Sequence, residues 1–187
     1  MPVPPAETEI PSTLRFAIDV GGPLLSGFIA TDGTGRLFAR GRRDGEGIRV
    51  VMMNFVVEDA YGRPLFFIRQ PTRGFGWSRP FQVLAPDGSM MGAVRGSGQR
   101  ATLDIPGQAR IEYSLSPLAW KGGRVVQANL PIASVRFEGH PLERNGAEFV
   151  LQFEPLALSR PLRRWTLAAV SFSTLASPPW EKWTSRG

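Results

Sequence analysis

The sequence predicts an all-β protein, a closed antiparallel β-barrel of about twelve strands around a central hydrophobic C-terminal helix. Three observations carry this. Short apolar runs alternate with aspartate–glycine turns from Leu14 to Leu158. Glycine (21) and proline (17) are abundant, as short strands joined by tight turns require. The stretch Ser159–Leu175, SRPLRRWTLAAVSFSTL, reads as one helix that is apolar on nearly every side.

Residues 1–13 read as a flexible arm, 14–176 as the barrel with its helix, and 177–187 as a tail. The first hairpin runs from Phe28–Thr31 through Asp32-Gly33-Thr34-Gly35 to Arg36–Ala39. The second runs from Asn54–Glu58 through Asp59-Ala60-Tyr61-Gly62 to Arg63–Ile68. The third runs from Phe81–Ala85 through Pro86-Asp87-Gly88 to Ser89–Val94. Aspartate can bond its own backbone in such turns, and glycine accepts the positive φ that they need. Asp32, Asp59 and Asp87 recur at spacings of 27 and 28, a weak hairpin repeat. A looser copy spans Ser134–Glu138, Gly139-His140 and Pro141-Leu142. Further strands are expected at Ile48–Met53, Ala101–Ile105, Ala109–Leu115, Arg124–Leu130 and Glu148–Glu154. A sheet of this size must curl or close.

The helix follows, with Ser159 as N-cap and Pro161 in the first turn. Trp165, Leu167, Val170, Phe172 and Leu175 do not gather on one stripe, so the helix belongs inside a core. At about four turns it is shorter than the roughly 20 residues of a membrane span. A closed sheet has an interior to fill, and this helix suits it. Pro178-Pro179 then stops it, ahead of Trp180 and Trp183.

The chain has no cysteine, which removes disulfides, thiolate metal sites and cysteine nucleophiles. The N-terminal stretch has no apolar run of signal-peptide length and carries Glu7 and Glu9, so a cytoplasmic location, with peripheral membrane contact, is the expectation. Net charge is +6, from 20 Arg and 2 Lys against 16 acids. Such a balance favours anionic partners, although evenly spread arginine would also produce it.

No catalytic signature is legible. His140 is the single histidine and sits in an expected turn. Glu58 and Asp59 are strand neighbours on opposite faces, suited to turn formation rather than shared acid–base work. Gly21-Gly22-Pro23 and Gly96-Ser97-Gly98 lack the lysine and following helix of a phosphate loop. The reading is non-enzymatic, with no cofactor, no catalytic residue and no metal ligand.

Two clusters read as binding surfaces. The first, RQPTRGFGWSR, offers Arg69, Arg73, Trp77 and Arg79 between hairpins. Arginine with an exposed aromatic suits a membrane interface. The second is Arg160, Arg163 and Arg164 in the first turn of the helix, where cations oppose the macrodipole. Pairing with rim carboxylates such as Glu154 would offset that, as would an anion bound at the barrel mouth. Arg40, Arg42 and Arg43 read as a third basic loop.

The motifs VVEDAYGRPLFF (56–67), PFQVLAPDGSMMGAV (80–94) and RPLRRWTLAAVSFSTL (160–175) resemble those of the tubby-like group, which includes the tubby C-terminal domain, the phospholipid scramblases and the LURP-one-related proteins. The resemblance covers most of Phe28–Leu175. It implies a closed twelve-stranded barrel around a C-terminal helix and a non-enzymatic, membrane-surface role. The chain departs from the scramblases in having no cysteine cluster for acylation. Its Glu138–Glu148 segment also lacks the alternating oxygen ligands of a calcium loop. The expected partners are therefore anionic phospholipid headgroups. The alternative is a protein-interaction or scaffold domain with no lipid ligand, and nucleic acid ranks below both.

Overall fold

The computed structural model describes residues 9–19, 27–43, 54–70, 80–97, 99–116, 122–138, 148–155 and 159–176. Among these residues the chain forms β1 (Thr13–Asp19), β2 (Gly27–Asp32), β3 (Leu37–Arg43), β4 (Asn54–Asp59), β5 (Pro64–Arg69) and β6 (Phe81–Leu84). It continues with β7 (Met90–Ser97), β8 (Arg100–Asp104), β9 (Ile111–Leu115), β10 (Gly123–Gln127), β11 (Leu130–Glu138), β12 (Glu148–Phe153) and α1 (Arg160–Ala176). Each strand pairs antiparallel with its sequence neighbours, and β1 pairs with β12 to close a twelve-stranded barrel. Closure removes both sheet edges. At the seam Phe16 opposes Phe149, and their rings stack at 4.6 Å.

This topology separates two ends. The turns after β2, β4, β6, β8 and β10 share one end, where β12 finishes and α1 begins; we name it the turn end. At the opposite end β3, β5 and β11 finish and β8 and β10 begin; we name it the arginine end.

The expected hairpin chemistry is present at the turn end. Asp32 Oδ1 accepts from the backbone N–H of Thr34 and Arg36, and Asp59 Oδ1 from those of Tyr61 and Arg63. Gly35 (φ 83°) and Gly62 (φ 78°) then take the left-handed position that returns the chain. In the third hairpin Ala85 holds the place of Asp32 and Asp59. Asp87 lies two residues further on, with its carboxylate bonded to the N–H and hydroxyl of Ser89.

Beside the turn, four hairpins carry one extra residue on the second strand: Phe38, Leu65, Met91 and Ile132. All four pack on the core. The bulge puts two successive residues on the core, as in Phe38-Ala39 and Ile132-Ala133.

The helix fills the interior. Every residue from Thr166 to Leu175 is buried, and α1 packs most heavily on β7, β8 and β9. Phe172 meets Phe81 at 5.0 Å. The Ser159 carbonyl accepts from Arg163 N–H at 3.2 Å, which places Ser159 at the helix boundary. Burial pushes the Tyr113 hydroxyl pKa up, and Ser173 of the helix bonds that hydroxyl.

Several expected boundaries shift. The strand expected over Arg124–Leu130 is broken by a two-residue turn at Ala128 (φ 49°) and Asn129 (φ 66°), so Leu130 opens β11. Two left-handed residues make the tight hairpin, although one is alanine. Arg40, Arg42 and Arg43 are not a loop; they belong to β3, paired with β4. β9 begins at Ile111 rather than Ala109. Barrel contacts begin ahead of β1: Ile10 is buried in the core, and Ser12 accepts from Phe153 N–H. Ile48–Met53 and Gly139–Leu142 lie outside the described residues.

Candidate functional site

A strand shows alternate residues to opposite faces, so each outward row of side chains is fixed by register. The inward faces are mostly apolar, Arg43 and Asp59 excepted, and the outward faces carry Arg15, Arg40, Glu112, Arg124 and Gln152. That is the inverse of a membrane-spanning barrel, which is apolar outside and polar within. No helix among the described residues is long and apolar enough to cross a membrane.

Acidic groups mark the turn end. Asp32, Asp59, Asp87 and Asp104 all lie there. Hydrogen bonds from Thr34 and Arg36 hold the Asp32 carboxyl below its usual value, and bonds from Ser89 do the same for Asp87. Burial pushes Asp59 and Asp104 up, but their hydrogen bonds and arginines outweigh it and both end lower than usual. Asp59 is 2% exposed and accepts two bonds from the Arg63 guanidinium at 2.7 Å. Asp104 accepts from Arg95 at 2.7 Å and Arg110 at 2.8 Å.

The predicted site residues divide between the two ends. Arg163 donates to the Ile10 carbonyl at 2.6 Å and lies over the Phe153 ring at 5.5 Å. Arg164 donates to the Leu65 carbonyl, and its charge helps to lower Asp87. Backbone carbonyls at the turn end are thus among the partners that offset Arg163 and Arg164, and the Asp87 charge adds to them at Arg164. Arg160 opens α1 at the same end. Arg69 is the last residue of β5, at the arginine end, with its guanidinium 5.1 Å from the Phe67 ring centre. It lies four residues beyond Leu65, roughly 13 Å along the strand. The structure therefore does not bring Arg69 together with Arg163 and Arg164. Arg73, Trp77 and Arg79 lie outside the described residues, as do His140, Trp180 and Trp183.

Arginines absent from the predicted set complete the picture. Arg42 forms a two-pronged pair with Glu58, and Arg15 pairs with Glu138 at 2.9 Å. Arg43 takes the inward face of β3, opposite Phe55, with its Nε buried and without a hydrogen-bond partner among the described residues. Arg40, Arg100, Arg124 and Arg136 are exposed and have no carboxylate partner among the described residues. The last three lie within two residues of their strand ends at the arginine end.

A cavity of about 150 Å³ lies on the outer wall at β9 and β10, lined by Arg110, Glu112, Val126 and the Ala128-Asn129 turn. It is smaller than the roughly 300 Å³ at which ligand pockets begin. Among the described residues no group of three or more His, Asp or Glu could hold a metal ion.

No family model and no curated protein matches the chain. Among solved structures, an X-ray structure of a protein from Arabidopsis thaliana is similar over 80% of this chain and 86% of that one, with a TM-score of 0.50 at 17% identity. At that identity the likeness is one of fold.

Proposed function

We propose that the protein is a non-enzymatic membrane-surface domain of scramblase-like type that binds anionic phospholipid through its arginine end. One observation carries the reading: exposed arginines without a carboxylate partner among the described residues gather at one end of the barrel. The aspartates at the turn end are occupied by their own turns or by arginines, whereas Arg100, Arg124 and Arg136, at the other end, have no carboxylate partner among the described residues. Arg73, Trp77 and Arg79 fall in sequence between β5 and β6, whose facing ends, Arg69 and Phe81, are also there. A basic residue near an anionic leaflet contributes about 1 kcal/mol, so three would favour the membrane by roughly 150-fold. The tubby-like motifs and the closed barrel around a helix support the same reading.

The test is co-sedimentation with phosphatidylcholine vesicles, with and without anionic lipid, at low and high salt. Binding to anionic vesicles alone, weakened by salt, is the expected result. Binding to neither vesicle would reject it. A second reading, a protein-contact domain, is favoured by the exposed Tyr61, Met90 and Leu130, all at the turn end. It predicts a stable partner and indifference to lipid.

A further inference from the structure

Strand pairing assembles a row of outward side chains across β8, β9, β10 and β11. Arg100 opposes Ser114, Ser114 opposes Arg124, and Arg124 opposes Ser134. Alternation fixes their direction, because Ala101, Tyr113, Val125 and Val135 face the core. Neighbouring strands are about 4.8 Å apart, so the two arginine backbones stand about 10 Å apart with a serine hydroxyl between them. Arginine side chains are long enough to converge over that hydroxyl. The register continues to Gln152 and Thr13 without meeting a carboxylate. Glu112 lies two residues along β9, exposed on the same face, and has no ion-pair partner among the described residues.

Two cations on one face with no counter-charge in their row repel each other. A shared anion would relieve that repulsion. The planar fork of arginine matches the oxygen spacing of phosphate, and a serine hydroxyl adds a third donor. We propose that Arg100, Ser114 and Arg124, flanked by Ser134, form a binding site for a phosphate monoester on the outer wall at the arginine end. The site deepens the membrane-surface reading and rests on it for the source of the phosphate, a lipid headgroup. Free phosphate would satisfy the same three side chains.

The experiment uses the full chain with two probes, inorganic phosphate and vesicles of phosphatidylcholine with or without phosphatidic acid. Phosphate should shift the amide resonances of Ser114 and Arg124 in a saturable way and leave those at the turn end in place. The pair Arg100→Lys with Arg124→Lys keeps the charge but loses both forks, and should weaken binding to phosphatidic acid vesicles about tenfold. Arg100→Gln with Arg124→Gln should lose at least about tenfold more than Arg40→Gln with Arg136→Gln, which removes the same charge. If the lysine pair binds like the parent and the two glutamine pairs lose equally, attraction is diffuse; the site is then wrong while the membrane reading stands. If phosphate shifts Ser114 but no vesicle binds, the site stands and the membrane reading falls. If neither probe binds, both fall.

Discussion

At the turn end Arg63, Arg110, Arg163 and Arg164 each reach an oxygen of the protein; at the arginine end Arg100, Arg124 and Arg136 face solvent. The residue type is the same and the work is different. The first group tightens hairpins and fastens the start of the helix to the rim. The second meets no carboxylate among the described residues. A net charge of +6 does not distinguish the two uses. What distinguishes them is which oxygens the fold places beside each guanidinium.

The largest expected effect tests whether the helix couples the two ends. Phe172→Ala removes a fully buried ring packed on Phe81 and should cost about 3–5 kcal/mol in a urea melt. If α1 is an independent appendage, the loss will be far smaller. Next is the turn end itself. Asp59→Ala strips a buried carboxylate that organises its turn and holds Arg63, and should cost about 1–3 kcal/mol. Gly62→Ala has open space around a new Cβ but keeps a φ of 78°, so it should cost about 1–2 kcal/mol from backbone strain alone.

Acid should act at the same end. Asp32, Asp59, Asp87 and Asp104 all titrate below their ordinary value of 3.8 in the folded chain. Their contribution is present above that value and lost as pH falls through the lower folded values, because the unfolded chain takes up protons first. Melts from pH 5 down to about pH 2 should therefore show stability falling chiefly below pH 4, and Asp59→Ala should flatten the slope. The smallest effect belongs to the arginine end. Arg100→Gln and Arg124→Gln should each change stability by less than about 0.5 kcal/mol, as at an ordinary surface site. A large loss from either would mean that this end is structural too, and the contrast between the ends would collapse.

The helix and the aspartate turns were legible because their signals are local. An apolar run without a stripe means burial on all sides, and Asp followed by Gly names its own backbone shape. The turn at Ala128-Asn129 hid because neither residue is glycine. The loop assigned to Arg40–Arg43 failed because charged residues alternate outward along a strand as readily as they fill a loop. The serine–arginine row is the most instructive omission. Arg100, Ser114 and Arg124 are 14 and 10 residues apart, and only pairing brings them together. The available signal was alternation against Ala101, Tyr113 and Val125, but using it requires the register. Likewise, the Ile10 and Leu65 carbonyls that Arg163 and Arg164 reach lie 153 and 99 residues away in sequence.

The seam between β1 and β12 sets an order on the birth of the protein. Residues 13–17 find their partners at 148–152, which leave a ribosome only after the eleven strands that precede β12. Until then the hairpins can form one by one, but the nascent sheet keeps two unpaired edges and an unfilled apolar face. The plug follows only with residues 160–176. Folding of such long-range architecture is slow, and the waiting sheet is prone to pair with its neighbours. Chains halted before residue 160 should be captured by chaperones or aggregate, whereas chains extended past residue 176 should gain closure and protease resistance together.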